Sequence, residues 1–223
     1  MVTTLYLVRH GLTVGGEERR YKGSIDVPIS DEGIVQAKKT AEFIAEELAR
    51  RTKRADRNCS SVSQLQAIYS SPLSRAQRTA EEICRPHGLS PIVVPDLRER
   101  HFGDWEGMSF SEIQEQFPDA FRAWAGNPLD YAPTGGETTR EVEKRAVRAL
   151  SALLKSHSGQ SFVIVAHGGI NRVMLCHVMG LSLEHAFRIE QDNAAVNVIE
   201  FWEAYPVVRL LNYSPAKYES VTD

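Results

Sequence analysis

The sequence predicts an α/β protein: a three-layer α/β/α sandwich around one mixed, mostly parallel sheet. Three observations carry this. Short apolar runs of strand length alternate with amphipathic helical patterns, which implies crossover units and a sheet covered on both faces. The last two apolar runs are joined by a connection too short for a crossover, so the sheet ends in an antiparallel hairpin. Residues 101–134 break the rhythm: they carry helical fragments and Pro118, Pro128 and Pro133 but no convincing strand, and so form a largely helical insertion over the sheet.

Residues 5–8 are a continuous apolar run closed by a glycine turn, the pattern of a buried strand. Ser30 then stands as N-cap of a helix whose apolar positions Ile34, Ala37, Ala41, Ile44, Ala45 and Leu48 recur at three-and-four spacing. Residues 67–69 make the second strand, and Ala76, Ala80 and Ile83 a weaker helical stripe. Residues 92–94 read as the third strand. After Thr138 or Thr139 the stripe Val142, Ala146, Leu150, Leu153 and Leu154 leads into the fourth strand at 162–165. Residues 195–201 and 207–211, joined through Tyr205-Pro206, are the terminal hairpin. The basic run Arg50, Arg51, Lys53, Arg54 and Arg57 reads as a solvated loop at a helix C-terminus rather than an anion patch.

In 223 residues, 26 basic side chains oppose 29 acidic ones, a net charge of −3 that argues against general nucleic-acid or anionic-membrane partners. With 42% hydrophobic and 25% charged residues the composition is that of an ordinary globular chain, and one domain over 1–223 is expected because no Gly/Ser-rich linker interrupts it. Cys59, Cys84 and Cys176 lie far apart without a Cys-x-x-Cys, so neither a disulfide framework nor a thiolate zinc site is expected. The N-terminus has no basic leader and the chain no long apolar stretch, which points to the cytoplasm. Apolar Ile199, Phe201 and Trp202 near a sheet edge leave monomer and homodimer both open.

In a parallel sheet, ligands bind beyond the carboxyl ends of the strands. Those ends deliver Arg9-His10-Gly11, then Ser70 to Arg75, then Leu97-Arg98-Glu99, and finally His167-Gly168-Gly169. Two buried arginines beside two histidines are costly unless an anion compensates, and phosphoryl oxygens match the guanidinium fork. The set therefore reads as a phosphate site, with Arg9 and Arg75 binding oxygens and His167 and the Gly168 turn adding donors.

Other phosphate chemistries lack their residues. There is no Gly-x-x-x-x-Gly-Lys loop, no Cys with an Arg six residues on, no Gly-x-Ser-x-Gly elbow, and no His or carboxylate cluster for a metal. That leaves a neutral His10 as nucleophile. Glu99 leads as the acid that protonates the departing oxygen, with a pKa raised by partial burial, and Asp96, Asp104 and Glu106 are its rivals.

Four blocks now stand in order: Leu7-Val8-Arg9-His10-Gly11; Tyr69-Ser70-Ser71-Pro72-Leu73-Ser74-Arg75-Ala76; Leu97-Arg98-Glu99 with Gly103-Asp104-Trp105-Glu106-Gly107; and Val165-Ala166-His167-Gly168-Gly169. Together with Gly135-Gly136-Glu137-Thr138 they resemble the histidine phosphatase superfamily, also called phosphoglycerate-mutase-like, in its phosphatase branch. The resemblance implies a phosphohistidine at His10, phosphate binding by Arg9, Arg75 and His167, acid–base work by Glu99, and no metal or other cofactor. It also implies a phosphate contact from Thr13. Where many members carry Asn, this chain has Gly16, and the Gly15-Gly16 backbone is expected to rebuild that part of the pocket.

Hydrolysis of a small phosphomonoester is the expected activity. Phosphoglycerate mutation and mere phosphate binding are the alternatives. A mutase must retain a highly anionic intermediate, yet Arg122 is the only Lys or Arg in 101–134, where seven aromatic rings instead suit an apolar or aromatic substrate body. By resemblance the candidates include α-ribazole 5'-phosphate and phosphoserine.

Overall fold

The computed structural model describes residues 1–16, 18, 20–55 and 64–218. Its strands are β1 (Thr3–Arg9), β2 (Leu65–Ser70), β3 (Ile92–Val93), β4 (Ser161–Ala166), β5 (Val196–Phe201) and β6 (Pro206–Tyr213). They form one six-stranded sheet in the order β3-β2-β4-β1-β5-β6. The first four in that order run parallel, β5 is antiparallel to β1, and β6 pairs back onto β5. The mixed sheet and its terminal hairpin follow the sequence pattern.

The helices are α1 (Asp31–Ala55), α2 (Ser74–Cys84), α3 (Phe110–Gln116), α4 (Pro118–Gly126), α5 (Thr139–Ser156), α6 (Gly168–Met179) and the short α7 (Pro215–Tyr218). Alternate strand residues serve opposite layers. Leu5, Leu7, Phe162 and Ile164 pack with Val142, Ala146 and Leu150 of α5 and Ile170 and Met174 of α6. Tyr6, Val8, Val163 and Val165 pack with Ala41 and Ile44 of α1 and Ala76, Ala80 and Ile83 of α2. Each buried Val, Leu, Ile, Phe or Met among them contributes about 1.5–3 kcal/mol, and a one-residue slip would exchange the two faces, so the register is pinned. The same register sets which residue emerges at each strand end.

Ser30 caps α1, its hydroxyl accepting from Gly33 N–H at 3.1 Å. Thr138, not Thr139, caps α5 in a reciprocal box with Glu141, and Ser109 does the same for α3 with Glu112. In the insertion, Phe110, Phe121, Trp124 and Trp105 meet ring to ring in that order, edge to face, tilted and edge to face, with centroids 4.9, 5.7 and 6.1 Å apart. Much of its aromatic content is therefore its own packing.

Three expectations need correction, and one helix, α6, escapes the sequence pattern. β3 has two residues, 48% and 46% exposed, and lies at the sheet margin rather than buried. Arg50, Arg51 and Lys53 extend α1 instead of forming a loop, because Glu46 and Glu47 reach Arg50 and Arg51 across one turn; Arg57 and Cys59 lie outside the described residues. Ile199 is core and β6, not β5, is the sheet's edge. Finally, α6 shows no amphipathic stripe, since Ile170, Asn171 and the run Val173, Met174, Leu175 and Cys176 are all buried. Among the described residues no helix is long and apolar enough to cross a membrane.

Candidate active site

β1 and β4 pair in parallel with Arg9 opposite Ala166, so the residues that follow them leave the sheet side by side. His10 N–H donates to Ala166 O at 3.0 Å, and the rings of His10 and His167 meet edge to face at 5.1 Å. His10 Nδ1 stands 2.8 Å from Gly11 O. A carbonyl only accepts, so Nδ1 carries the proton and Nε2 keeps its lone pair. Burial, then the charges of Arg9 and Arg75, hold the His10 pKa well below the ordinary imidazole value. His167, fully buried, is held low by burial and by His10. Its Nε2 is 2.7 Å from Ser71 Oγ, which itself accepts from Leu73 N–H. Nδ1 is buried with no protein partner among the described residues.

The cations are anchored from behind by carbonyls. Arg9 Nη1 donates to Gln191 O at 2.5 Å, while its Nε is buried with no partner among the described residues. Gln191 belongs to a buried amide network with Asn197, which in turn bonds Leu7 O at 3.0 Å. Arg75, 2% exposed in the first turn of α2, donates to Ile25 O and Gly23 O at 2.8 and 2.7 Å. These two bonds leave the rest of its five-donor fork for a ligand. Gly168, expected at the site, stands where a Cβ would meet Arg172 Nη1 at 3.2 Å and Arg9 Nε at 3.5 Å.

Glu99 is held by two backbone donors: Oε1 accepts from Arg100 N–H at 2.9 Å and Oε2 from Gly169 N–H, at the start of α6, at 3.0 Å. Glycine is needed there, because a Cβ on residue 169 would sit 2.5 Å from Oε1. The loop carrying Glu99 is clamped from outside the cavity. Arg145 of α5 donates to the carbonyls of Asp96, Arg98 and Glu99 at 2.8, 2.6 and 3.1 Å and grips both oxygens of Glu137 at 2.9 and 2.8 Å. Although burial raises it, the Glu137 pKa stays below the carboxylate norm through its bonds to Arg145 and His101 N–H.

His10, Arg9, Arg75, Thr13, Glu99 and Gly168 line one cavity of about 620 Å³, with His167 buried behind His10. Of the acid's rivals none lines it: Asp96 pairs with Arg148, and Glu106 accepts from Ser24 and the Phe102 N–H. Cations that sequence reasoning missed also reach the wall. They are Arg20 and Lys22 of the loop between β1 and α1, Arg100 beside Glu99 and Arg172 of α6, none of them within 101–134. The turn Leu183–Arg188, with Phe187, is a further part of the rim. Of the Gly15-Gly16 backbone expected to rebuild the pocket at position 16, Gly16 N–H is spent on Thr13 O at 2.9 Å. Among the described residues no group of His, Cys, Asp and Glu is arranged to hold a metal ion.

Such a cavity, two imidazoles against two anchored guanidiniums at the carboxyl ends of a parallel sheet, defines a phosphate-ester enzyme of α/β type. The chain belongs to the histidine phosphatase superfamily (branch 1), whose sequence model matches residues 5–214, and it is a phosphatase. It is 34% identical to phosphoserine phosphatase 1 of Hydrogenobacter thermophilus over 93% of this chain and 91% of that protein. It is 32% identical to the metal-independent phosphoserine phosphatase of Arabidopsis thaliana over 89% of this chain and 76% of that one. The α-ribazole phosphatase of Shigella flexneri has the same fold, with TM-score 0.79 at 24% identity over 95% and 96% of the two chains.

Two outcomes follow. If neutral His10 is the reactive group, the acid limb of kcat/KM, corrected for ionisation of the substrate, falls below pH 6.5, because a depressed pKa keeps the imidazole unprotonated into acid. A limb at or above that value contradicts the assignment. Glu137→Gln breaks the ion pair of a partly buried carboxylate with buried Arg145 and lowers unfolding free energy by about 1–3 kcal/mol in denaturant titrations, whereas a loss under about 0.5 kcal/mol removes the clamp's importance.

Proposed function

We propose that the chain hydrolyses phosphomonoesters in two steps through His10. The observation that carries this reading is the bond between His10 Nδ1–H and Gly11 O, which leaves Nε2 unprotonated on the wall of a cavity shared with Arg9 and Arg75. In the first step Nε2 attacks phosphorus and the ester P–O bond breaks. Glu99, as the carboxylic acid, gives its proton to the departing oxygen, and the guanidiniums of Arg9 and Arg75 and a ring N–H of His167 neutralise charge on the other three oxygens. In the second step the Glu99 carboxylate takes a proton from water, whose oxygen displaces nitrogen from phosphorus. Inorganic phosphate leaves, and both residues return to their starting protonation. The route needs no metal or other cofactor.

The walls support a substrate with a bulky, largely apolar body. Phe102, Trp124, Leu129, Val142, Leu183 and Phe187 surround the space beyond the phosphate site. α-Ribazole 5'-phosphate is such a molecule, and phosphoserine, the substrate named for the relatives above, is the smaller alternative. Against mutase action, the Arg20 charge is already compensated by the carboxylates of Glu18 and Glu112, and the cavity walls beyond the phosphate site are largely apolar. We read the enzyme as cytoplasmic, monomeric or homodimeric, with no nucleic-acid or membrane partner.

The acid's role is tested by leaving group. Glu99→Gln slows hydrolysis of an alkyl phosphate by about 100-fold or more and of p-nitrophenyl phosphate far less, since only the alkoxide needs the proton. Equal slowing of both strips Glu99 of this role.

A further inference from the structure

Residue 16 lacks a side chain, and the loop leaves no room for one. A Cβ there would stand 2.6 Å from Leu12 Cδ1 and 2.8 Å from the Thr13 carbonyl oxygen. The loop is closed on something else. Lys22 Nζ donates to Thr13 Oγ1 at 2.8 Å, to Gly15 O at 3.0 Å and to Val14 O at 3.2 Å, so residues 13–15 wrap an ammonium group. Lys22, Thr13 and Gly16 line the cavity together with His10. Thr13 is 4% exposed, and the Lys22 charge is among those that disfavour protonation of His10.

We infer that Lys22 is a phosphate-site residue which acts through Thr13 and by its charge, in place of the side chain that position 16 cannot carry. A hydroxyl has one proton and two lone pairs. With an ammonium donating to Thr13 Oγ1, one lone pair is occupied and the hydroxyl proton is left to a phosphoryl oxygen, polarised by the cation behind it. The ammonium meanwhile adds a third positive charge to those of Arg9 and Arg75 around the same dianion. The ligand is a phosphoryl group, as ester or as free phosphate. The inference rests on the phosphatase reading above. A lysine that merely ties the loop would stabilise the fold and leave phosphate affinity alone, and this separates the two roles.

The test is the competitive inhibition constant of inorganic phosphate for the full chain and for Lys22→Met, Thr13→Val and the double variant, with unfolding midpoints measured alongside. Lys22→Met is expected to weaken phosphate by about tenfold or more, as loss of a charged donor should. In the Thr13→Val background the same change is expected to cost clearly less, because part of its action runs through the missing hydroxyl. An inhibition constant within about twofold of wild type in a folded Lys22→Met protein overturns the inference, and so does full additivity in the double variant. Should Lys22→Met not fold, Lys22→Arg decides: affinity within about threefold of wild type supports the role of charge, and a tenfold loss overturns it. If the wild type hydrolyses phosphomonoesters yet phosphate does not inhibit it, Lys22 loses its role while the phosphatase reading stands; if it hydrolyses none, both fall.

Discussion

The burial of two guanidinium groups against two neutral imidazoles is the constraint around which the rest of the molecule is arranged. Such charges are expensive out of water, and here each is held by backbone carbonyls rather than cancelled by a contacting carboxylate. Carbonyl anchoring fixes the forks in place while keeping their positive charge for a ligand. That arrangement requires β1 and β4 to be neighbours in register, α2 to begin beside the 23–25 loop, and the Gln191–Asn197 amides to lie behind Arg9. Burial first, and then the field that makes the site attractive to phosphate, keep His10 unprotonated. Binding and nucleophilicity thus draw on the same buried cations.

Much of this was legible in the sequence because strand ends in a parallel sheet are fixed by the apolar runs that precede them. His10 and His167 follow continuous apolar strands, and period-two burial leaves little freedom in where they emerge. Glu99 was harder: it follows a two-residue strand and a tight turn, and only its contacts with the Arg100 and Gly169 N–H groups distinguish it from Asp96 and Glu106. Helix α6 was hidden because it is buried on most sides and has no polar stripe. Lys22, Arg172 and the 183–188 turn reach the cavity from segments distant in sequence, and composition within the insertion says nothing about them. The glycine pair at 135–136 marked a motif, but the use of Glu137 as a clamp on the Glu99 loop is a long-range fact.

Reaction and specificity occupy different parts of the chain. Arg9, His10, Arg75 and His167 stand at strand ends and helix starts and Glu99 on a loop clamped by Arg145, while the walls around the substrate body come from the insertion, the 12–23 loop and the turn after α6. Relatives named for phosphoserine and for α-ribazole phosphate share the fold, as expected when a common phosphate cradle is combined with variable walls. Trp105 and Trp124 line the insertion's wall, and the rings of Phe110 and Phe121 pack against Trp124 from behind, with α3 beginning at the Ser109–Glu112 cap.

The central claim is that the phosphoryl group passes through the His10 ring. Rapid mixing with a phosphate-labelled monoester, quenching without acid and mapping the label by peptide mass spectrometry tests it most directly. The account predicts one labelled site, Nε2 of His10, formed and discharged at the rate of turnover. Turnover with label on another residue, or with no covalent label at any time point, contradicts it.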